Sequence, residues 1–404
     1  MGAVADDDSG MTDLLGMFSE HGMNTVIFFE TQPYDILSSY SKDVEVVAIG
    51  TKGRSIEQNE AYRKTKDAIR ALMDFGPHMY YLKYCSTFDS TPRGNIGQMI
   101  DAGLDLLGGH IIALPALPIN GRTTYMGNHF VNGIRLDRSP MKDHPLNPMT
   151  EADLSVWLGY QTRRRIGLCD HNAIRKGTKF LSQELKRLSE SGVEIIIVDA
   201  IDQKDIKNIA RSVYDYKLVS GSSALAMELP PIWRENGLLS RGKLDYSSIN
   251  LKRGGDATLV IAGSCSEATM SQNLYGLKNG FFGFKLDTVK IAEGGESCQD
   301  EVERIVNGAV KELRQGKNAI IYTATDMEDV VRTKSLGIKL GLTDIQLGDK
   351  ISNSIAEIAK ALVDDVNLNK FIVAGGETSG AVCRKMKLIG LYSRSKFNGS
   401  HPTT

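Results

Sequence analysis

Short apolar, β-branched runs alternate with amphipathic helical segments along most of this 404-residue chain. That alternation predicts an α/β fold with mainly parallel sheets, because parallel strands need a crossover segment, usually a helix, between them. Residues 194–198, EIIIV, are a nearly uninterrupted apolar run of the kind buried on both faces of a sheet. Further strands are expected over 25–29, 44–49, 79–82, 110–117, 217–220, 257–262, 318–322 and 370–374. A helix ending at Gly22 precedes the first of these, and Ser55 is placed to cap a long helix running to about Phe75. Residues 118–147, rich in proline and glycine, read as a long irregular segment, and segments of that length are usually functional or mobile. The length exceeds one hydrophobic core. The stretch 229–251, with Pro230, Pro231, Gly237 and Gly242, reads as a connection, giving domains of 1–235 and 236–404.

The densest functional signal is YCSTFDSTPRGNIG, from Tyr84 to Gly97. Ser86, Thr87 and Ser90 surround Asp89, and Arg93 and Asn95 flank Gly94. An apolar strand leads in, and Ile96, Met99, Ile100, Leu104 and Leu107 follow at helical spacing. A strand, a polar turn and a helix N-terminus form an anion site from backbone N–H groups and the helix dipole. Arg93 adds a bidentate clamp for a carboxylate or phosphate, and Asp89 a carboxylate at the same mouth. A helix cap alone needs fewer polar groups than this.

Other clusters repeat the strand–turn–helix pattern. ADDDSG near the start puts Asp6, Asp7 and Asp8 before a helix, where the dipole accounts for one acid but not for three. PALPINGRTTY carries Asn120 and Arg122 after an apolar strand and is expected to face the same cleft as Arg93. HPLNPMT adds His144 and Asn147, and VSGSSALA adds Gly221, Ser222 and Ser223. In the second half, AGSCSEAT and AGGETSGA each place small residues between a strand and a helix, as a phosphate site requires.

Composition narrows the partners. With 48 basic and 49 acidic residues the formal net charge is −1, which gives no support to nucleic-acid or membrane-surface binding. No apolar run approaches the roughly 20 residues of a membrane span, and the acidic start MGAVADDDSG does not read as a signal peptide, so a cytoplasmic location is expected. The five cysteines form no CxxC pair and no zinc spacing. The Walker loop, the dinucleotide fingerprint, the protein-kinase motifs, GxSxG and HExxH are all absent.

Taken in order, ADDDSG, YCSTFDSTPRGNIG, PALPINGRTTY, HPLNPMT, IVDA, VSGSSALA, AGSCS and AGGETSGA resemble the four-carbon acid sugar kinases over nearly the whole chain. The central motif and HPLNPMT look most like the 3-oxo-tetronate kinase branch. The resemblance implies two α/β domains, an N-terminal one for the sugar acid and a C-terminal one for ATP with Mg²⁺, with transfer in the cleft between them. It implies phosphorylation of the terminal hydroxyl of a four-carbon sugar acid. Catalytic roles then fall to Asp7, Asp89 and Arg93, and substrate contacts to Asp6, Ser90, Gly94, Asn95, Asn120 and Arg122. Nucleotide contacts fall to Ser264, Gly375, Gly376, Glu377 and Thr378, with no protein metal site. A homodimer is the expected assembly. Two departures stand out: Asp8 occupies a place where the family has an apolar residue, and LYSRSKFNGSHPTT replaces its closing glycine-rich loop. The alternatives are a threonate or erythronate kinase, or a relative that binds sugar acid or nucleotide without turnover.

Overall fold

The computed structural model describes residues 1–40, 44–144, 147–239 and 255–393. The chain forms two compact units, one of residues 1–246 with 389–404 and one of residues 247–388. In chain order the strands begin with β1 (Gly2–Ala5), β2 (Thr25–Phe28), β3 (Val46–Gly50), β4 (Tyr80–Lys83) and β5 (Ile111–Leu114). Next come β6 (Arg122–Tyr125), β7 (Asn128–Val131), β8 (Ile134–Arg135), β9 (Ile166–Cys169), β10 (Ile195–Val198) and β11 (Leu218–Gly221). The second unit holds β12 (Thr258–Ala262), β13 (Phe282–Lys285), β14 (Ala319–Tyr322) and β15 (Lys370–Ala374). A last strand, β16 (Gly390–Ser393), belongs to the first unit, although the sequence assigned it to the second domain.

The first unit is built on a nine-stranded sheet ordered β16-β2-β3-β1-β4-β11-β5-β10-β9, parallel except for β16 against β2. The chain moves outward from β1 through β3 and β2 on one side and resumes with β4 on the other. Such a reversal opens a crevice at the carboxyl ends of the strands. In register, Ala5 lies opposite both Gly50 and Lys83, so residues 6–7, the loop after 50 and the loop after 83 emerge together. The four residues of β10 are fully buried, as an all-apolar run between helices demands. Helix Ile96–Leu107 forms at its expected position and buries Ile96, Met99, Ile100 and Leu104 against the same core as Val4, Ile49 and Leu82. Each such side chain contributes about 1.5–3 kcal/mol of transfer free energy.

Three local expectations are corrected. Ser55 does not cap the helix after β3; it closes a short 3₁₀ turn, Gly53–Ser55, and the Glu57 carboxylate caps helix Gln58–Met73 through the Asn59 and Glu60 N–H groups. Residues 224–235 are helical through Pro230 and Pro231, where a connection was expected. The N–H groups those prolines lack are offset by burial of Leu229, Ile232 and Trp233, whose indole stacks on Phe18 at 6.1 Å. The segment expected to be irregular folds β6, β7 and β8 into an antiparallel sheet. Its two-residue turns, Met126–Gly127 and Asn132–Gly133, have positive φ at both positions, the geometry that matches strand twist. Residues 145–146 of the HPLNPMT motif and 394–404 of the closing segment lie outside the described residues.

That small sheet is fixed at two points. Asp199, fully buried at the end of β10, accepts from the N–H groups of Met126 (2.6 Å) and Gly127 (3.0 Å). His129 on β7, also fully buried, accepts from the Thr124 hydroxyl at 3.0 Å and donates through Nε2 to the Ser86 carbonyl at 2.8 Å. It thereby anchors the loop that carries Asp89. Burial drives its pKa down to about 4, a change the Ser86 hydrogen bond only partly opposes. Because the unfolded state takes up a proton near pH 6.5 and the folded state does not, stability is full above that pH. It falls by on the order of 3 kcal/mol as the pH drops from 6.5 to 4. Denaturant titrations read by tryptophan fluorescence report on this unit, since both Trp157 and Trp233 lie in it. His129→Gln is expected to flatten that acid-side slope, and an unchanged slope would remove His129 as its source.

Candidate active site

At the mouth of the first unit, three carboxylates share one guanidinium. Asp6 and Asp7 directly follow β1, and Arg54 sits in the 3₁₀ turn after β3. Asp89 lies in the loop after β4. Arg54 Nε reaches Asp6 Oδ2 at 3.3 Å, and its Nη2 reaches Asp6 Oδ1 at 3.2 Å and Asp7 Oδ2 at 2.9 Å. Its Nη1 stands 3.9 Å from Asp89 Oδ2. The Thr87 hydroxyl also donates to Asp89. Asp7 caps helix Asp8–Glu20, accepting from the N–H and hydroxyl of Ser9, each at 2.7 Å.

The environment separates the two neighbouring acids. Burial pushes Asp6 above the usual carboxylate range, against the pull of Arg54. Burial opposes ionisation of Asp7 too, but Arg54 and the Ser9 hydrogen bonds hold it below its ordinary value. Arg54 also loses solvation, yet the charge of Asp6 and the other acidic groups raises its pKa further. Asp7, with 24% of its side chain exposed against 5% for Asp6, is the more accessible of the pair and the one whose ionised form its surroundings favour more. Pairs of carboxyls pushed apart in this way commonly mark reacting sites.

The other expected residues divide into free and committed groups. Arg93 is exposed on a tight turn closed by paired hydrogen bonds between Thr91 and Gly94. Its guanidinium makes no hydrogen bond or ion pair among the described residues, so Arg54, absent from the sequence reading, is the cation paired with the acids. Gly94 must be glycine: φ is +142°, and a Cβ would fall 2.2 Å from Gln98 Oε1. Asn95 is buried behind the site, donating to the carbonyls of Gly53 and Ile56 and so bracing the Arg54 turn. Ser90 is fully buried and accepts from Trp157 Nε1 (2.9 Å) and Gln161 Nε2 (3.0 Å), which commits it to the scaffold. Asn120 is exposed at the end of a short 3₁₀ turn, and Arg122 donates to its carbonyl. Arg122 Nε is buried without a hydrogen-bond partner among the described residues. Ser222 and Ser223 bond to Ala116 O and Asp13, making VSGSS a scaffold element. His144 Nδ1 accepts from the Asn147 N–H at 3.1 Å.

In the second unit, the four parallel strands run β13-β14-β12-β15, which makes the two glycine-rich turns neighbours. Gly375 (φ +117°) follows β15, and Ser264 follows β12. A Cβ on Gly375 would stand 3.2 Å from Ser264 N, and one on Gly263 only 2.2 Å from Thr378 Oγ1. Helix Gly376–Lys385 begins there with no side-chain cap, its first-turn residues Gly376 and Glu377 exposed and Thr378 buried. An uncapped helix start beside a serine turn is suited to an anion. Among the described residues, no three His, Cys, Asp or Glu side chains converge with metal-ligand geometry.

Two charged residues at this crevice escaped the sequence reading. Arg54 stands in TKGRS directly after an apolar strand, and Lys83 is the lone charge ending YYLK; a charge at a strand's carboxyl end was the available signal in both cases.

Comparison with known proteins identifies both halves. Residues 1–229 match the model of a sugar-binding N-terminal domain, and residues 259–397 that of a nucleotide-binding C-terminal domain. A 3-oxo-tetronate kinase of Pseudomonas fluorescens is 34% identical over 405 residues, covering 100% of this chain and 90% of the relative. The Burkholderia multivorans 3-oxo-tetronate kinase is 33% identical, with the same coverage of both chains. Among solved structures, a Salmonella typhimurium LT2 protein described as a tRNA synthase superposes with a TM-score of 0.79 at 28% identity, over 97% of this chain and 89% of its own. A Haemophilus influenzae protein superposes with a TM-score of 0.74 at 29% identity, over 98% and 91%. The chain therefore belongs to the four-carbon acid sugar kinase family, in the company of the 3-oxo-tetronate kinases.

Proposed function

We propose that this sugar-acid kinase transfers the γ-phosphoryl group of ATP to the terminal hydroxyl of 3-oxo-tetronate. The observation that carries the reading is the split between committed and free charge in the first unit. Arg54 is committed to three carboxylates, whereas among the described residues the Arg93 guanidinium has no partner and the buried Nε of Arg122 has no hydrogen-bond partner. Arg93 takes the substrate carboxylate, for which a planar guanidinium is suited, and Arg122 and Asn120 border the same ligand. Asp7 accepts the hydrogen of the attacking hydroxyl, and Asp89 accepts from a second hydroxyl.

Asp7 acts mainly by orientation. A carboxylate held below its ordinary pKa is a weak base, but a loose phosphoryl-transfer transition state needs the nucleophile aligned more than deprotonated early. The hydroxyl oxygen forms its bond to phosphorus as the bridge to ADP breaks, and the proton passes to Asp7. In the second unit, Ser264 and the N–H groups around Gly375, Gly376 and Thr378 receive ATP phosphate oxygens. Mg²⁺ would reside chiefly on those oxygens, with Glu377 nearby, since this cation usually keeps water and substrate phosphate ligands.

An ADP-release assay with Mg-ATP and a panel of four-carbon sugar acids tests the reading. The highest kcat/KM is expected for 3-oxo-tetronate; turnover confined to threonate or erythronate would overturn the substrate, and silence of folded protein on every acid would overturn the activity. Within that assay, Arg93→Ala is expected to raise KM by about 10- to 100-fold with little change in kcat, the cost of one charge-assisted bond. Asp7→Asn is expected to lower kcat by about 10²- to 10⁴-fold. Parent-like kinetics in either variant would remove that residue from its assigned role.

A further inference from the structure

Lys83 closes β4 as a buried ammonium, 3% exposed. Its Nζ donates to the Tyr84 carbonyl at 2.8 Å, filling one of the three donors an ammonium carries. Its charge is felt by Asp6 and Asp7, but those acids are paired with Arg54, and none of the ion pairs among the described residues includes Lys83. Gly10, half-buried in the first turn of helix Asp8–Glu20, packs directly against that ammonium. A Cβ at that position would stand 2.9 Å from Nζ. A buried cation with unfilled donors, packed under the backbone of a helix turn, is costly unless an acceptor completes it.

We propose that Lys83 is the specificity-determining residue that reads the C3 carbonyl of the substrate, an inference that rests on the sugar-acid reading above. The crevice presents acceptor-only carboxylates, Asp7 and Asp89, with a donor-only ammonium in the same set of strand ends. A 3-oxo sugar acid presents the complement: hydroxyls at C2 and C4 donate, and the carbonyl between them only accepts. A 3-hydroxy acid places at C3 a group that also accepts, but its own hydrogen finds no acceptor in a donor-only position. Selectivity follows from the unpaired group rather than from size, the mode in which polar sites discriminate most strongly.

The test compares kcat/KM for 3-oxo-tetronate with that for threonate and erythronate in the parent enzyme, Lys83→Met and Gly10→Ala. Lys83→Met is expected to lower the value for the 3-oxo acid about 100-fold and for the 3-hydroxy acids at least about tenfold less, so the preference collapses. Gly10→Ala leaves the charge in place but displaces the ammonium, and is expected to erode the same preference; it serves alone if Lys83→Met fails to fold. Parallel losses on all acids, with the preference intact, would overturn the assignment and make Lys83 a structural residue. A parent enzyme silent on every acid would instead overturn the sugar-acid reading, and this inference with it.

Discussion

A single guanidinium holding three carboxylates, two at the end of one strand and one beyond its neighbour, is the interaction on which the sugar-binding unit depends. Asp6, Asp7 and Asp89 would repel one another at this spacing, and each is at least three-quarters shielded from water at its side chain. Removing one partner of such a buried set typically costs about 3–5 kcal/mol, because the remaining charges stay buried without compensation. The scaffold is arranged around that need. Asn95 braces the turn that presents Arg54, and Asp7 completes the first turn of its helix. His129 fixes the backbone of the loop leading to Asp89. Among the described residues, Arg93 pairs with no acid, and Lys83 bonds to the Tyr84 carbonyl and to no carboxylate.

The two units solve different electrostatic problems. The sugar-binding unit must recognise a small anion that also carries hydroxyls, so it combines cations with acceptor-only carboxylates. The nucleotide-binding unit faces a larger and more uniform negative charge, and offers backbone N–H groups at a helix start, where a side chain at Gly263 would run into Thr378 and one at Gly375 would be strained by its φ of +117°. Phosphate oxygens accept such N–H groups without needing a dedicated cation at every position.

Much of this was legible in the sequence because it is local. A strand, a polar turn and a helix occupy adjacent residues, so the 84–97 motif, the aspartates after β1 and the two glycine turns could be placed without knowing the sheet order. Arg54 carried only the weak signal of a charge after a strand, because its meaning comes from β3 lying next to β1, a contact set by strand order rather than by spacing. Ser90 and Asn95 looked like ligand groups for the same reason in reverse: the atoms that occupy them, from Trp157, Gln161, Gly53 and Ile56, are distant in sequence. Asn132–Gly133 did carry a hairpin signal, but its flanking strands are too short and too polar to show alternation. Pro230 and Pro231 misled because burial of Trp233 and its neighbours outweighs two missing helix hydrogen bonds.

The most direct measurement is steady-state kinetics and nucleotide affinity of Arg54→Met beside the parent enzyme. If Arg54 organises the carboxylates, kcat/KM for the sugar acid falls by at least about 100-fold while Mg-ATP affinity, which belongs to the other unit, stays near the parental value. A folded Arg54→Met enzyme with kcat/KM within about threefold of the parent would contradict the shared-guanidinium account of this site.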